Sequence, residues 1–175
     1  MKQLILGGAR SGKSALAEQL ATASSLEVTY IATAVLNLRD VEMEQRIRVH
    51  RERRPRSWEL IEEPLYLAEA LTLHSQRGRF LIVDCLTLWL SNILLMDDGR
   101  HFQQQVKALL SSLPQLQGNL VLVSNEVGLG IVPMGEISRR FQDESGWLHQ
   151  QLAHLCDRVI LTVAGLPLTL KGESL

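Results

Sequence analysis

The sequence predicts an α/β fold: a mostly parallel sheet flanked by helices and finished by a C-terminal edge strand or hairpin. Three observations predict it. Residues Gly7-Gly8-Ala9-Arg10-Ser11-Gly12-Lys13-Ser14 match G-x-x-x-x-G-K-[ST], with the apolar run Gln3 to Leu6 before them and the helix-forming stretch Ser14 to Leu20 after them. Strand, glycine loop and helix in that order make a P-loop. Further short apolar runs, Val28 to Ala32, Phe80 to Asp84 and Asn119 to Ser124, alternate with stretches of helical spacing, as parallel strands joined by helices do. The chain closes on Val159 to Val163, a Gly165/Pro167 turn and Leu168 to Leu170, which read as a hairpin or edge. Together these describe a P-loop NTPase fold, with residues 1–175 expected to form a single nucleotide-binding domain.

The motif carries chemistry as well as topology. Its glycines let backbone N–H groups wrap a phosphate, Lys13 reaches the outer phosphates, and the Ser14 hydroxyl can ligate Mg²⁺. A nucleoside triphosphate is the expected ligand. Thr33 and Ala34 follow the second strand at its carboxyl end, where open α/β sheets bind ligands, although an ordinary strand-to-loop turn has the same position. Phe80-Leu81-Ile82-Val83-Asp84 resembles a Walker B strand, which makes Asp84 the candidate carboxylate for the magnesium.

Between these motifs, Asp40 can cap a helix running to about Arg53, with Pro55 as the stop and Met43, Ile47 and His50 on one face. The segment also holds Arg46, Arg48, Arg51, Arg53, Arg54 and Arg56. A solvated helix face is the commonest meaning of such a charge run. Of the sharper readings, a phosphate site is preferred to a nucleic-acid patch, because no aromatic residues interleave and no nucleic-acid module is present. From periodicity alone His50 is a packed histidine.

Trp58 to Pro64 reads as a short strand, Leu65 to Ser75 as an amphipathic helix closed by Gly78, Leu86 to Met96 as a buried helix, Asp97-Asp98-Gly99 as a turn, and Gln103 to Leu113 as a further helix. The glycine-bearing loop Asn125 to Gly130, with Glu126 in it, belongs on the active edge of this architecture. A long helix follows over about Glu136 to Leu155, whose stripe Ile137, Phe141, Leu148, Leu152 and Leu155 is core or subunit contact. A homo-oligomer is expected.

Bulk properties exclude several classes. Two cysteines, Cys85 and Cys156, without a C-x-x-C pair argue against a disulfide framework or zinc site and read as buried thiols in a reducing compartment. A formal net charge of −1 implies no general affinity for nucleic acid. No apolar run reaches the roughly 18 residues of a membrane span, and nothing resembles a signal-peptide core, so a cytoplasmic location is expected. A GTP-dependent switch is disfavoured, since no N-K-x-D motif follows a strand and the D-x-x-G at Asp143 to Gly146 falls inside a predicted helix.

Read together, the glycine loop at 7–14, Tyr-Ile-Ala-Thr at 30–33, Arg46-Ile47-x-x-His50-x-x-x-Arg54-Pro55, Trp58 to Glu62, and Ser-Asn-Glu-Val-Gly-x-Gly-Ile-Val-Pro at 124–133 resemble the bifunctional adenosylcobinamide kinase/adenosylcobinamide-phosphate guanylyltransferase family of cobalamin biosynthesis. The resemblance runs to the closing Gly-x-x-x-x-x-Lys-Gly at Gly165 to Gly172. It implies phosphorylation of the hydroxyl on the aminopropanol arm of adenosylcobinamide, a corrinoid, followed by transfer of GMP from GTP through a guanylylated histidine. By resemblance that histidine is His50. The same resemblance implies nucleotide contacts at Gly7, Gly8, Ala9, Arg10, Ser11, Gly12, Lys13 and Ser14, at Thr33, Ala34 and Val35, at Arg51, Glu52, Arg53 and Arg54, and at Glu62 and Asp84. GTP and ATP are the implied substrates, with Mg²⁺ on Ser14 and Asp84 and with Lys13 and His50 as the catalytic residues. A kinase acting on another small molecule, with His50 merely packed, is the alternative.

Overall fold

The computed structural model describes residues 1–35 and 55–175. Among the described residues seven strands form one sheet in the order β3-β2-β4-β5-β1-β6-β7. They are β1 (Lys2–Gly7), β2 (Glu27–Ala32), β3 (Glu59–Glu62), β4 (Arg79–Asp84), β5 (Asn119–Asn125), β6 (Arg158–Val163) and β7 (Leu166–Lys171). Neighbours are parallel except β6 and β7, which form an antiparallel hairpin at one edge. Five α-helices are described: α1 (Lys13–Ala23), α2 (Leu67–His74), α3 (Leu86–Leu95), α4 (Phe102–Ser112) and α5 (Glu136–Leu155). Short 3₁₀ turns follow α3 and α4.

The central strands are apolar on both sides because both faces are covered. Successive residues alternate between two cores. Leu4, Leu6, Ile31, Leu81, Val83, Leu120, Leu122 and Val159 pack with Leu71 of α2, Trp89 and Ile93 of α3, Phe102 and Leu109 of α4 and Leu148 and Leu152 of α5. Ile5, Tyr30, Ile82, Val121, Val123 and Ile160 pack on the other face with Ala17 and Ala21 of α1. Alanine at those two positions lets α1 lie close to the sheet, directly behind the glycine loop. At roughly 25 cal/mol per Å² of apolar surface removed from water, these two layers supply most of the drive to fold.

The helix predicted over Glu136 to Leu155 forms, but its stripe divides. Leu148 and Leu152 are core, whereas Ile137 and Leu155, on turns that face away from the sheet, remain exposed. The two cysteines likewise divide: Cys156 is buried, while Cys85, at the end of β4, is only partly so. Burial together with the carboxylates beside them pushes the Cys85 thiol up to about 11 and the Cys156 thiol up to about 12, so both are neutral thiols near pH 7. Among the described residues no helix is long and apolar enough to cross a membrane.

Candidate functional site

Parallel pairing brings the carboxyl ends of β1, β2, β3, β4, β5 and β6 to one edge, and those predicted site residues that are described lie along it. At the end of β1 the chain turns through Gly7 to Gly12. Gly12 takes a left-handed backbone (φ 100°), and a methyl group there would sit 3.2 Å from the Cα of Gly165. Gly8, Ala9 and Arg10 are exposed on the crown of the loop, Ser11 and Lys13 are buried beneath it, and Ser14 is half-buried in the first turn of α1. The loop therefore offers its outer backbone to solution and the amino end of a helix behind it, as anion binding requires.

Lys13 folds back under this loop. Its Nζ donates to the carbonyl of Gly8 at 2.6 Å, and burial lowers its pKa, an effect partly offset by the Asp84 carboxylate. A buried ammonium with so little to balance it is poised for an anion. Asp84 ends β4, where its Oδ2 accepts from the Tyr30 hydroxyl at 2.7 Å. Between β1 and β4 in the sheet lies β5, so the loop leaving β5 emerges between the phosphate loop and Asp84.

The other predicted contacts are spread along the same edge. Thr33 is fully buried, and its hydroxyl donates to the Cys85 carbonyl at 2.7 Å and accepts from the Cys85 N–H at 2.9 Å. It clasps the ends of β2 and β4 together. Ala34 is half-buried and Val35 exposed just beyond it, and Glu62 is exposed at the end of β3. His50, Arg51, Glu52, Arg53 and Arg54 lie outside the described residues.

Two features of the edge were not foreseen. The β6–β7 turn seats on the phosphate loop, with the Gly165 N–H donating to the Ser11 carbonyl at 2.9 Å and Ser11 Oγ 2.9 Å from Thr162 Oγ1. The Gly165/Pro167 signal predicts a turn but not what the turn supports. Beside the loop, Glu126 and His149 come together at 3.9 Å, Oε2 to Nδ1. The acid was visible on its loop, whereas His149 sits 23 residues later in α5 and carried no local signal. An apolar cleft of about 330 Å³ opens next to them, lined by Leu94, Val127, Pro133, Ile137 and Phe141 among others.

A magnesium ion suits the donors at this site. Ser14 and Asp84 offer a hydroxyl and a carboxylate, hard oxygen ligands of the kind Mg²⁺ takes together with phosphates and water. Among the described residues there is no group of three or more histidines, cysteines, aspartates and glutamates that could hold a metal ion.

Comparison with known proteins decides the lineage. The profile of the family described as CobU, cobinamide kinase / cobinamide phosphate guanyltransferase, matches residues 3–170. The chain belongs to this family. It is 58% identical over 175 residues to the bifunctional adenosylcobalamin biosynthesis protein CobP of Pseudomonas aeruginosa, with all of both chains covered. It is 34% identical to the bifunctional adenosylcobalamin biosynthesis protein CobU of Escherichia coli, over 98% of this chain and 100% of that one. Family membership makes the chain an enzyme that uses nucleotides, with cobinamide and its phosphate as the family's acceptors. Among solved structures, the assembled type III secretion ATPase EscN of enteropathogenic E. coli superposes with a TM-score of 0.54 at 12% identity, covering 93% of this chain and 43% of that one. At that identity the likeness shows the fold alone, and the fold is that of the P-loop NTPases.

Proposed function

We propose that this chain phosphorylates the hydroxyl of the aminopropanol arm of adenosylcobinamide and then guanylylates the resulting phosphate, giving adenosylcobinamide-GDP. The observation that carries the reading is the phosphate loop with Lys13 buried behind it, in a chain that matches the cobinamide kinase family over residues 3–170. In the first reaction the alcohol oxygen attacks the γ-phosphorus of a nucleoside triphosphate, ATP or GTP. The bond to the β,γ-bridging oxygen breaks, and the nucleoside diphosphate leaves. Backbone N–H groups of Gly8 to Lys13 and the Lys13 ammonium hold the outer phosphates where charge accumulates. Mg²⁺ on Ser14 and Asp84, when bound, neutralises phosphate charge.

In the second reaction a neutral His50 attacks the α-phosphorus of GTP, pyrophosphate leaves, and the corrinoid phosphate takes GMP from the histidine. Arg51, Arg53 and Arg54, with Glu52 among them, flank that histidine in sequence and supply the charge that a second anionic substrate needs. Thr33, Ala34, Val35 and Glu62 complete the nucleotide side of the edge. The working enzyme is a cytoplasmic homo-oligomer, and the exposed apolar residues Ile131, Met134, Ile137 and Trp147 provide surface for subunit contact.

Incubation with GTP labelled at the α-phosphate tests the reading. The expected product is a covalent guanylyl adduct, acid-labile and base-stable as a phosphoramidate is, mapping to His50 and discharged by adenosylcobinamide phosphate. The His50→Asn variant should lose the adduct yet keep phosphorylating adenosylcobinamide. A label mapping elsewhere overturns the assignment of the nucleophile, and absence of both reactions overturns the function.

A further inference from the structure

The phosphorylation step leaves a proton on the attacking alcohol, and the reading above already gives Lys13 to the phosphates and Ser14 and Asp84 to the metal, so the proton calls for a further acceptor. We infer that Glu126 accepts this proton and that His149 positions its carboxylate. The inference rests on the kinase reading above and adds a residue to it.

Position is the first argument. Because β5 lies between β1 and β4, the residue after its last member stands between the phosphate loop and Asp84. Glu126 is that residue, and its backbone N–H donates to the carbonyl of Gly7 at 2.9 Å. This bond ties the Cα of the glutamate to the first residue of the loop. The side chain then turns toward its own loop, where Oε1 accepts from the Gly128 N–H at 2.5 Å.

Orientation is the second. His149 reaches the glutamate from the core side of α5, almost fully buried, with Nε2 2.8 Å from Ser124 Oγ. Ser124 Oγ lies 3.4 Å from Thr87 Oγ1, which accepts the Asn125 N–H at 2.7 Å. If Nε2 accepts from the serine, Nδ1 carries the hydrogen and faces Glu126 Oε2 across 3.9 Å, close enough to act on the carboxylate electrostatically but too far for a hydrogen bond. Burial also pulls His149 toward its neutral form, an effect that the Glu126 carboxylate partly opposes. Glu126 still has 22% of its side chain exposed, next to the apolar cleft at Val127. Alcohol can approach from that side.

The step balances. The alcohol oxygen forms a bond to the γ-phosphorus, the bond from that phosphorus to the bridging oxygen breaks, the diphosphate departs with its electron pair, and the hydroxyl proton passes to Glu126 and on to water. Positioned general bases contribute about 10²–10⁴ in rate. The test is Glu126→Gln in the full chain, assayed for phosphorylation of adenosylcobinamide at saturating triphosphate, for triphosphate affinity, and for GMP transfer onto supplied adenosylcobinamide phosphate. We expect phosphorylation to fall by about 10²–10⁴ in kcat while affinity and GMP transfer change by less than about threefold. His149→Gln should lower kcat for phosphorylation by roughly tenfold with little change in KM, and Glu126→Asp should restore part of the rate. Wild-type phosphorylation by Glu126→Gln, or parallel loss of both reactions and of triphosphate affinity, overturns the assignment and leaves the function standing. A wild-type chain that phosphorylates nothing overturns the function and the assignment together.

Discussion

Lys13 shows how much one residue can be asked to do. Its ammonium is buried, donates to a single close carbonyl at Gly8, and feels only part of the Asp84 charge, so it gains most when phosphates arrive. Lys13→Ala should therefore weaken triphosphate binding by at least about tenfold and reduce phosphorylation by about 10²-fold or more, because a charge-assisted hydrogen bond in a dry site is lost. Equilibrium binding and single-turnover assays check this. His149 makes a prediction about stability. Its pKa is lowered from 6.5, chiefly by burial, so around and below 6.5 the unfolded chain binds more protons than the folded one. The contribution is full above about 6.5 and is lost as pH falls below it, toward the depressed folded value. Urea unfolding at pH about 7.5 and about 5.5 should show the wild type losing more stability on acidification than His149→Gln does. The placement of Lys13 beneath a glycine loop was legible in the sequence because a fixed spacing encodes it. That of His149 beside Glu126 was not, since nothing local distinguishes it from a histidine on any helix.

At the scale of elements, the phosphate loop is supported from behind by the β6–β7 hairpin. Gly7 lies where β1 meets β6, and a methyl group there would fall 2.4 Å from the Thr162 carbonyl oxygen and 2.5 Å from Ser11 Oγ. Backbone cannot retreat as a flexible side chain can. Gly7→Ala should cost about 1–3 kcal/mol by overpacking and should loosen the loop, so chemical denaturation and triphosphate affinity should both report it. A variant as stable and as tight-binding as the wild type would show that the hairpin does not brace the loop. The hairpin itself was read from β-branched residues around a Gly/Pro turn, and the strand and helix spans were read from periodicity. Their boundaries moved by one to three residues, as at α1, which runs Lys13–Ala23 rather than Ser14 to Leu20.

Across the whole molecule, nucleotide binding and folding are linked, because the site is assembled from strand ends distant in sequence and exists only in the folded state. A triphosphate with Mg²⁺ at about 100 times its Kd should stabilise the chain by about 2.7 kcal/mol, a rise in Tm of roughly 5–10 °C. In Asp84→Asn the magnesium-dependent part of that rise should disappear while a metal-independent part remains, and calorimetry across a magnesium titration separates the two. The sequence by itself determined the class of fold, the phosphate loop, the acid at Asp84 and the family, because each is written in short contiguous patterns whose spacing the chemistry demands. Tertiary structure alone decided that Thr33 clasps two strand ends, that Gly165 braces the phosphate loop, and that Glu126 meets His149 beside Gly7. Those pairings depend on strand order, and strand order is set by how two apolar faces are best covered by helices, a property of the whole chain that no local pattern carries.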